Sequence, residues 1–344
     1  MMKQFIKMVE NNQHLLFDEM LQASTLMFQD ETALHDIQAF LIALAKKGET
    51  AHEVAALATV MKSFALEVAA PPARYMDNCG TGGDGVNSFN ISTTAAFVMA
   101  GAGAKIAKHG NRKISSAAGS SDVLEALGIH TDLSVDETVE LLNTHGIAFL
   151  YAPNVHPKLK RIGQVRRQIG KPTIFNLVGP LTNPVTLDTQ FTGINRPEFT
   201  MEYAAVMKMI GRDRGIVVCG AGGMDEASLA GQNDFVLVDH EDLIPFSLTP
   251  EDVGLKSAPL EAIRGGNADE NAVIMRTILS GKQDAYFDTV VFNATIGLFA
   301  YGLVNRVKDG VDLAIDTILT GKALEKLDAV VAYSEARKKQ EVIK

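Results

Sequence analysis

Cysteine is nearly absent from this chain: Cys79 and Cys219 are the only two in 344 residues, and neither belongs to a CxxC pair. A disulfide framework is thereby excluded, and the count fits a reducing compartment. Long apolar runs are missing too. None approaches the roughly 18 residues that a membrane span requires. The opening residues, MMKQFIKMVENNQ, have no uninterrupted apolar segment, so a signal peptide is not expected. Cations are in deficit, with 32 Lys and Arg against 41 Asp and Glu, a net charge of −9. Nucleic acid or an anionic membrane is therefore a poor default partner. Together these absences lead us to expect a soluble, cytoplasmic protein.

What is present is ordinary globular material, with 47% hydrophobic and 21% charged residues. The length allows one large domain plus a smaller one. The first seventy residues read as helices. Ile37, Phe40, Leu41 and Leu44 recur at helical spacing, Lys46, Lys47 and Gly48 supply a stop, and Thr50 to Glu53 form a capping box. Residues 69–72, AAPP, break this pattern. The expected boundaries are a helical domain over 1–70, joined in space by helices from about 156–190, and an α/β domain over 71–344. In the second part, strand candidates at 104–107, 147–150, 215–219 and 235–238 alternate with helices, which predicts a mostly parallel central sheet flanked by helices.

Chemistry concentrates in the glycine loops. Residues 78–93 read NCGTGGDGVNSFNIST, with four glycines between Gly80 and Gly85. The run follows an expected strand and precedes an apolar helix, where peptide N–H groups and the helix dipole bind anions. It is neither a Walker A motif nor a GxGxxG fingerprint. A plain turn is the competing reading. KHGNR at 108–112 places two cations, an imidazole and a carboxamide around one glycine, fitting the C-terminal edge of a sheet. Ser115, Ser116, Gly119, Ser120 and Ser121 follow as a second Gly/Ser-rich loop ahead of a helix. Two such loops suggest a ligand with two phosphate groups.

A third loop, GAGGMDE at 220–226, ends in adjacent acids. Either they share a cation, for which Mg2+ beside phosphates is the natural choice, or they sit favourably at a helix N-terminus. Between Lys158 and Lys171 stand six cations and no acid. That stretch is a solvated helix face, a nucleic-acid patch lacking the usual aromatics, or the source of a guanidinium for a carboxylate.

The ordered series FLIALAKKGET (40–50), GTGGDG (80–85), NIST (90–93), KHGNR, GSSDVLEALG (119–128), TIFNLVGPLTNP (173–184), MDE (224–226), GGNADENA (265–272) and GKALEKL (321–327) resembles the anthranilate phosphoribosyltransferases over nearly the whole chain. The resemblance implies a homodimer formed through the helical domain. It also implies transfer of the phosphoribosyl group of phosphoribosyl pyrophosphate to the amine of anthranilate, in tryptophan biosynthesis, with Mg2+, two per subunit. Gly80, Thr81, Gly82, Gly83, Asp84, Asn90, Ser92, Thr93, Lys108, Asn111 and Ser120 would hold phosphoribosyl pyrophosphate. Gly80, Asn111, His156, Arg166 and Gly179 would contact anthranilate, with Arg166 on its carboxylate. Ser92, Asp225 and Glu226 would hold the metal, and no general base is implied. Ala117, Ala118, Ser121 and Pro172 depart from the family's usual residues near the 5′-phosphate pocket. A transferase with another aromatic acceptor, or a nucleoside phosphorylase of the same fold, is the alternative.

Overall fold

The computed structural model describes residues 1–111 and 118–343. Four helices open the chain: α1 (Met2–Glu10), α2 (Phe17–Met27), α3 (Leu34–Lys47) and α4 (Ala51–Ser63). α3 stops at Gly48, whose φ of 89° suits glycine. α4 starts on the expected capping box. Thr50 Oγ1 accepts from the Glu53 N–H at 3.3 Å, and Glu53 Oε2 accepts from the Thr50 N–H at 2.9 Å. The same carboxylate oxygen takes Lys47 Nζ at 2.9 Å, while Oε1 accepts the Leu15 N–H at 2.9 Å. A buried charge is thus tolerated because each oxygen is filled.

Among the described residues seven strands follow: β1 (Tyr75–Asp77), β2 (Lys105–Gly110), β3 (Ile147–Tyr151), β4 (Thr189–Gly193), β5 (Arg214–Cys219), β6 (Asn233–Asp239) and β7 (Asp242–Leu248). They form one sheet in the order β3-β2-β1-β4-β5-β6-β7. From β3 to β5 all neighbours run parallel, with Met76 paired to both Ile106 and Thr189. β6 and β7 are antiparallel additions. Helices α5 (Ile91–Gly101), α6 (Ser120–Ala126), α7 (Val135–Thr144), α8 (Ala152–Val155), α9 (Leu159–Ile169), α10 (Ile174–Val178) and α11 (Thr200–Met209) lie between strands. Helices α12 (Ala268–Leu279), α13 (Ala285–Tyr301), α14 (Val307–Leu319) and α15 (Lys322–Ile343) close the chain.

Two strands escape the hydrophobic pattern. β4 reads TQFTG yet is wholly buried. Gln190 at its centre donates to Pro180 O and Thr192 Oγ1, both at 2.8 Å, so this polar side chain is satisfied inside. β7 is a half-exposed edge carrying Pro245, which an edge strand tolerates.

The sheet has an apolar core on each face. Ile216 and Val218 of β5 join the larger core around α5 and α13, while Val217 between them faces the other way. That second core runs on through α11 into α1–α4 and takes in Ile162, Val165, Phe175 and Leu177 from α9 and α10. α9 and α10 therefore pack with the N-terminal helices although they lie about a hundred residues later. The C-terminal ends of β1 to β5 open toward this seam, and the loops there carry the polar residues singled out above.

Candidate active site

After β1, Thr81 N–H bonds Gly193 O at 2.9 Å and Gly82 N–H bonds Asp225 Oδ2 at 2.6 Å. The glycine loop is therefore tied to the ends of β4 and β5 and is no slack connection. Gly82, Gly83 and Gly85 have φ of 73°, 85° and 75°, where a side chain is strained. Gly80 serves differently: a Cβ there would lie 2.3 Å from Asp225 Oδ2. At Gly193 a Cβ would lie 1.6 Å from Asp225 O, and at Gly220 it would lie 2.0 Å from Glu226 O. Three missing side chains thus make room for one acidic turn.

That turn, residues 220–226, is closed by Gly220 N–H to Met224 O at 2.8 Å and steadied by Asn233 Oδ1, which accepts from the Ala221 and Ser228 N–H groups. No helix follows it; the chain proceeds to β6. The reading of Asp225 and Glu226 as favourable acids at a helix N-terminus is overturned, and the repulsion between them has no helix dipole to offset it. Burial raises the pKa of Asp225, and the charge of Asp84 raises it further. Burial raises that of Glu226 as well, with Asp225 adding to it, while Lys108 and the Ser92 hydroxyl pull the other way. Among the described residues no three His, Cys, Asp or Glu side chains already converge as a cage. Neighbouring enclosed carboxylates with a hydroxyl beside them fit Mg2+, which takes one or two protein carboxylates and completes its shell with water and substrate oxygens.

β2 delivers Lys108 and His109 to the same place. Lys108 is buried, with Nζ donating to Asn78 O at 2.9 Å. Asp77, at the end of β1, accepts the His109 N–H at 3.2 Å and Asn183 Nδ2 at 2.9 Å, which fixes the neighbouring strand ends. Asn90 caps α5 by position, its Oδ1 accepting from Asn271 Nδ2 at 2.9 Å. In the first turn of α5, Thr93 Oγ1 is buried without a partner. A hydroxyl so placed, at a helix N-terminus, is a ready contact for an anion. Ser120 Oγ donates to Asn111 O at 3.2 Å, and both line the cleft. Arg112, Ser115, Ser116 and Ala117 lie outside the described residues. Ala118 and Ser121 are buried, and Pro172 is exposed.

Opposite the glycine loop stand His156, Arg166 and Gly179. The His109 and His156 rings meet edge to face, 5.3 Å between centroids. Burial lowers His109 to a pKa of about 3, the backbone of Gly179 only partly offsetting it. Burial lowers His156 to about 4 against a backbone hydrogen bond at Thr182. Both are neutral imidazoles with Nε2 buried and unpartnered. Arg166 lies over the Phe175 ring at 5.6 Å and donates to Asn176 Oδ1 at 3.2 Å, with no carboxylate against it among the described residues. Of the basic stretch, Lys160, Arg167 and Lys171 are exposed, while the other three cations turn to partners or space within the fold. Lys158 sits on Phe64, Arg161 holds the Gln29 carbonyl, and Arg166 turns into the cleft.

All of these positions line one cleft of about 310 Å3: Gly80 to Asp84, Asn90, Ser92, Thr93, Lys108, Asn111, Ser120, His156, Arg166, Gly179, Asp225 and Glu226. The sequence reading missed Met61, His109, Leu159, Phe175, Asn176 and Thr182 on its walls. Four of them lie in or beside the quoted motifs, but Met61 on α4 and Leu159 on α9 carry no signal beyond apolar periodicity.

Comparison with known proteins agrees with this arrangement. The family profile described as "Glycosyl transferase family, a/b domain" matches residues 72–324, and "Glycosyl transferase family, helical bundle domain" matches residues 3–65. The anthranilate phosphoribosyltransferase of Exiguobacterium sibiricum is 53% identical over 342 residues, 99% of this chain and 100% of that one. The crystal structure of the Thermus thermophilus anthranilate phosphoribosyltransferase superposes with a TM-score of 0.91 at 37% identity, covering 96% of this chain and 99% of that one. The Saccharomyces cerevisiae enzyme in complex with PRPP and Mg gives 0.84 at 27% identity, covering 93% and 92%. The same yeast enzyme in complex with 4-fluoroanthranilate gives 0.82 at 28%, with the same coverage. At such identity over essentially its whole length, the chain belongs to the anthranilate phosphoribosyltransferase family.

Proposed function

We propose that the cleft joins anthranilate to the ribose of phosphoribosyl pyrophosphate, releasing pyrophosphate and N-(5-phosphoribosyl)anthranilate, a step of tryptophan biosynthesis. The observation that carries this reading is the convergence of an anion cradle, an acid turn and a guanidinium with no carboxylate partner among the described residues on one cleft. The yeast relative's complexes with PRPP and with 4-fluoroanthranilate support the same ligand pair.

The first turn of α5, with Ser92 and Thr93, and the open backbone of Gly82 to Gly85 hold the phosphates, with Asn90, Asn111 and Ser120 on the rim. Lys108 supplies positive charge from beneath. Asp225 and Glu226, with Ser92, would hold Mg2+, two per subunit, and Asp84 would add its charge to the same group. When bound, the cation neutralises the departing pyrophosphate. Arg166 grips the acceptor carboxylate by a charge-assisted hydrogen bond, and Gly179 leaves room for the ring, since nothing lies within 4 Å of a Cβ placed there. An aromatic amine is neutral near pH 7, so no strong base has to deprotonate it. His109 and His156, held uncharged, keep positive charge away from that nucleophile. The C1–N bond forms as the C1–O bond to pyrophosphate breaks, with inversion, and the nitrogen then releases its surplus proton to water or the departing pyrophosphate, so positioning and electrostatics supply the catalysis.

The reading also makes the enzyme a cytoplasmic homodimer paired through the helical domain. Such pairing would cover Leu16 and Ile42, which are 71% and 47% exposed there. Loss of anthranilate fluorescence with phosphoribosyl pyrophosphate and Mg2+, each omitted in turn, tests the activity. No loss with all present would overturn it.

A further inference from the structure

A second cavity, of about 400 Å3, lies behind the acceptor wall. Thr59, Lys62 and Ser63 of α4 line one side, Met209 and Arg212 at the end of α11 line another, and Leu181 closes it. Leu181 belongs to a 3-10 turn, Gly179–Leu181, whose first two residues line the active cleft, so one turn separates the two spaces.

Among the described residues no acid lines this second cavity. Arg212 is 3% exposed, and its Nη2 is buried with no hydrogen-bond partner. Its Nε is fixed by Gln190 Oε1 at 3.0 Å, and Gln190 in turn is anchored on Pro180 O and Thr192 Oγ1. The guanidinium is thus held by one edge with donor capacity left over. Burial draws the Arg212 pKa down to about 10, although Asp77, Asp188 and Tyr203 act the other way from the sheet side. Burial also lowers Lys62, and the charge of Arg212 adds to it. Lys62 has no acid partner among the described residues. At the end of α11 the Val206, Met207 and Lys208 carbonyls are taken by the Ile210, Arg212 and Gly211 N–H groups at 3.0 Å.

Two cations from different parts of the fold line a cavity with no acid among the described residues, and the deeper one carries an orphan donor. Proteins place unpaired buried donors where a ligand or water completes them. The remaining wall, with Ala58, Leu181 and Met209, is apolar. We infer that Lys62 and Arg212 form a second anion site, separate from the active cleft, which takes a small oxyanion: a phosphate, or the carboxylate of a small molecule. An Arg fork beside an ammonium suits either group.

Selenate, a phosphate-like oxyanion with an anomalous signal, locates the site in crystals of the full chain. Wild type should show an anomalous peak between Lys62 and Arg212, and Lys62→Gln should lose it while keeping any peak in the active cleft. In solution at fixed ionic strength, Lys62→Gln should bind inorganic phosphate at this site about tenfold more weakly, the loss expected for one charge-assisted contact. Lys62→Glu, which places its own carboxylate beside Arg212, should abolish binding there. Because Lys62 is half-exposed, both variants are expected to fold, and Arg212 is left intact. Selenate found only in the active cleft, or phosphate binding unchanged in both variants, overturns the inference.

Discussion

The backbone N–H of Gly82 donates to Asp225 Oδ2 at 2.6 Å, joining the loop after β1 to the turn after β5. Segments 143 residues apart are thereby made one unit, in which the proposed phosphate cradle and the proposed metal ligands hold each other in place.

Asp225 and Glu226 should therefore answer for the metal. Asp225→Asn with Glu226→Gln removes two enclosed charges while retaining the size of the side chains. Calorimetric Mg2+ titration in the presence of phosphoribosyl pyrophosphate should show binding lost, and turnover should fall by at least about a hundredfold, the scale expected when charge stabilisation of a leaving group is removed. An unchanged metal titration would count against the site.

Glycine substitutions separate clearance from ligand contact. Gly193→Ala would drive a Cβ to 1.6 Å from Asp225 O, so the acid turn must move. We expect a loss of roughly 1–3 kcal/mol in stability, or more, together with weaker metal binding. Gly179, at φ −47° with nothing within 4 Å of a Cβ, should accept alanine without loss of melting temperature. Its cost should appear as a higher KM for anthranilate alone. Equal destabilisation of the two variants would contradict this assignment.

Arg166→Ala should raise the anthranilate KM by ten- to a hundredfold or so, the range for losing a charge-assisted contact, with little change in the KM for phosphoribosyl pyrophosphate. Steady-state kinetics varying each substrate decides it. Equal effects on both constants would refute the carboxylate role.

The two depressed histidines set the acid side of stability. Each has a folded pKa, about 3 for His109 and about 4 for His156, below the unfolded value near 6.5. The unfolded chain therefore binds more protons as pH falls below about 6.5. The histidines' contribution is complete above that pH and is lost progressively toward pH 3–4. Urea unfolding between pH 7 and pH 5 should show wild type losing stability faster than His156→Gln, by roughly 1 kcal/mol per pH unit once below pH 6. Identical slopes would mean that His156 titrates normally.

Glu53 tests the helical domain. Its carboxylate fills the Thr50 cap, the Leu15 N–H and the Lys47 ammonium with no exposure to water. Glu53→Ala takes the only carboxylate from the buried Lys47 ammonium, leaving it Gly48 O and the His14 ring, which should cost about 3 kcal/mol in urea unfolding. Glu198→Ala, removing an exposed pair with Arg196, should leave the midpoint near wild type.

Much of this was legible before any coordinates. Local signals determined the capping box at Thr50, the stop at Gly48, four strands by their apolar runs, and the loops that carry polar groups. These depend on interactions within a few residues, which a sequence displays directly. The family resemblance added roles for Arg166 and His156, which stand in none of the quoted motifs. Other features were decided only by long-range packing. β4 is polar in sequence and central in the sheet because Gln190 finds partners at Pro180 and Thr192. Gly80 and Gly193 are glycines because a turn far along the chain passes within a Cβ of them. His109 and His156 are depressed because folding withdraws both rings from water side by side. The sequence by itself determined which chemical groups stand at strand ends and helix starts. The tertiary structure alone decided which of them meet, because spacing along a chain says nothing of which loop ends share a cleft, and burial exists only once they do.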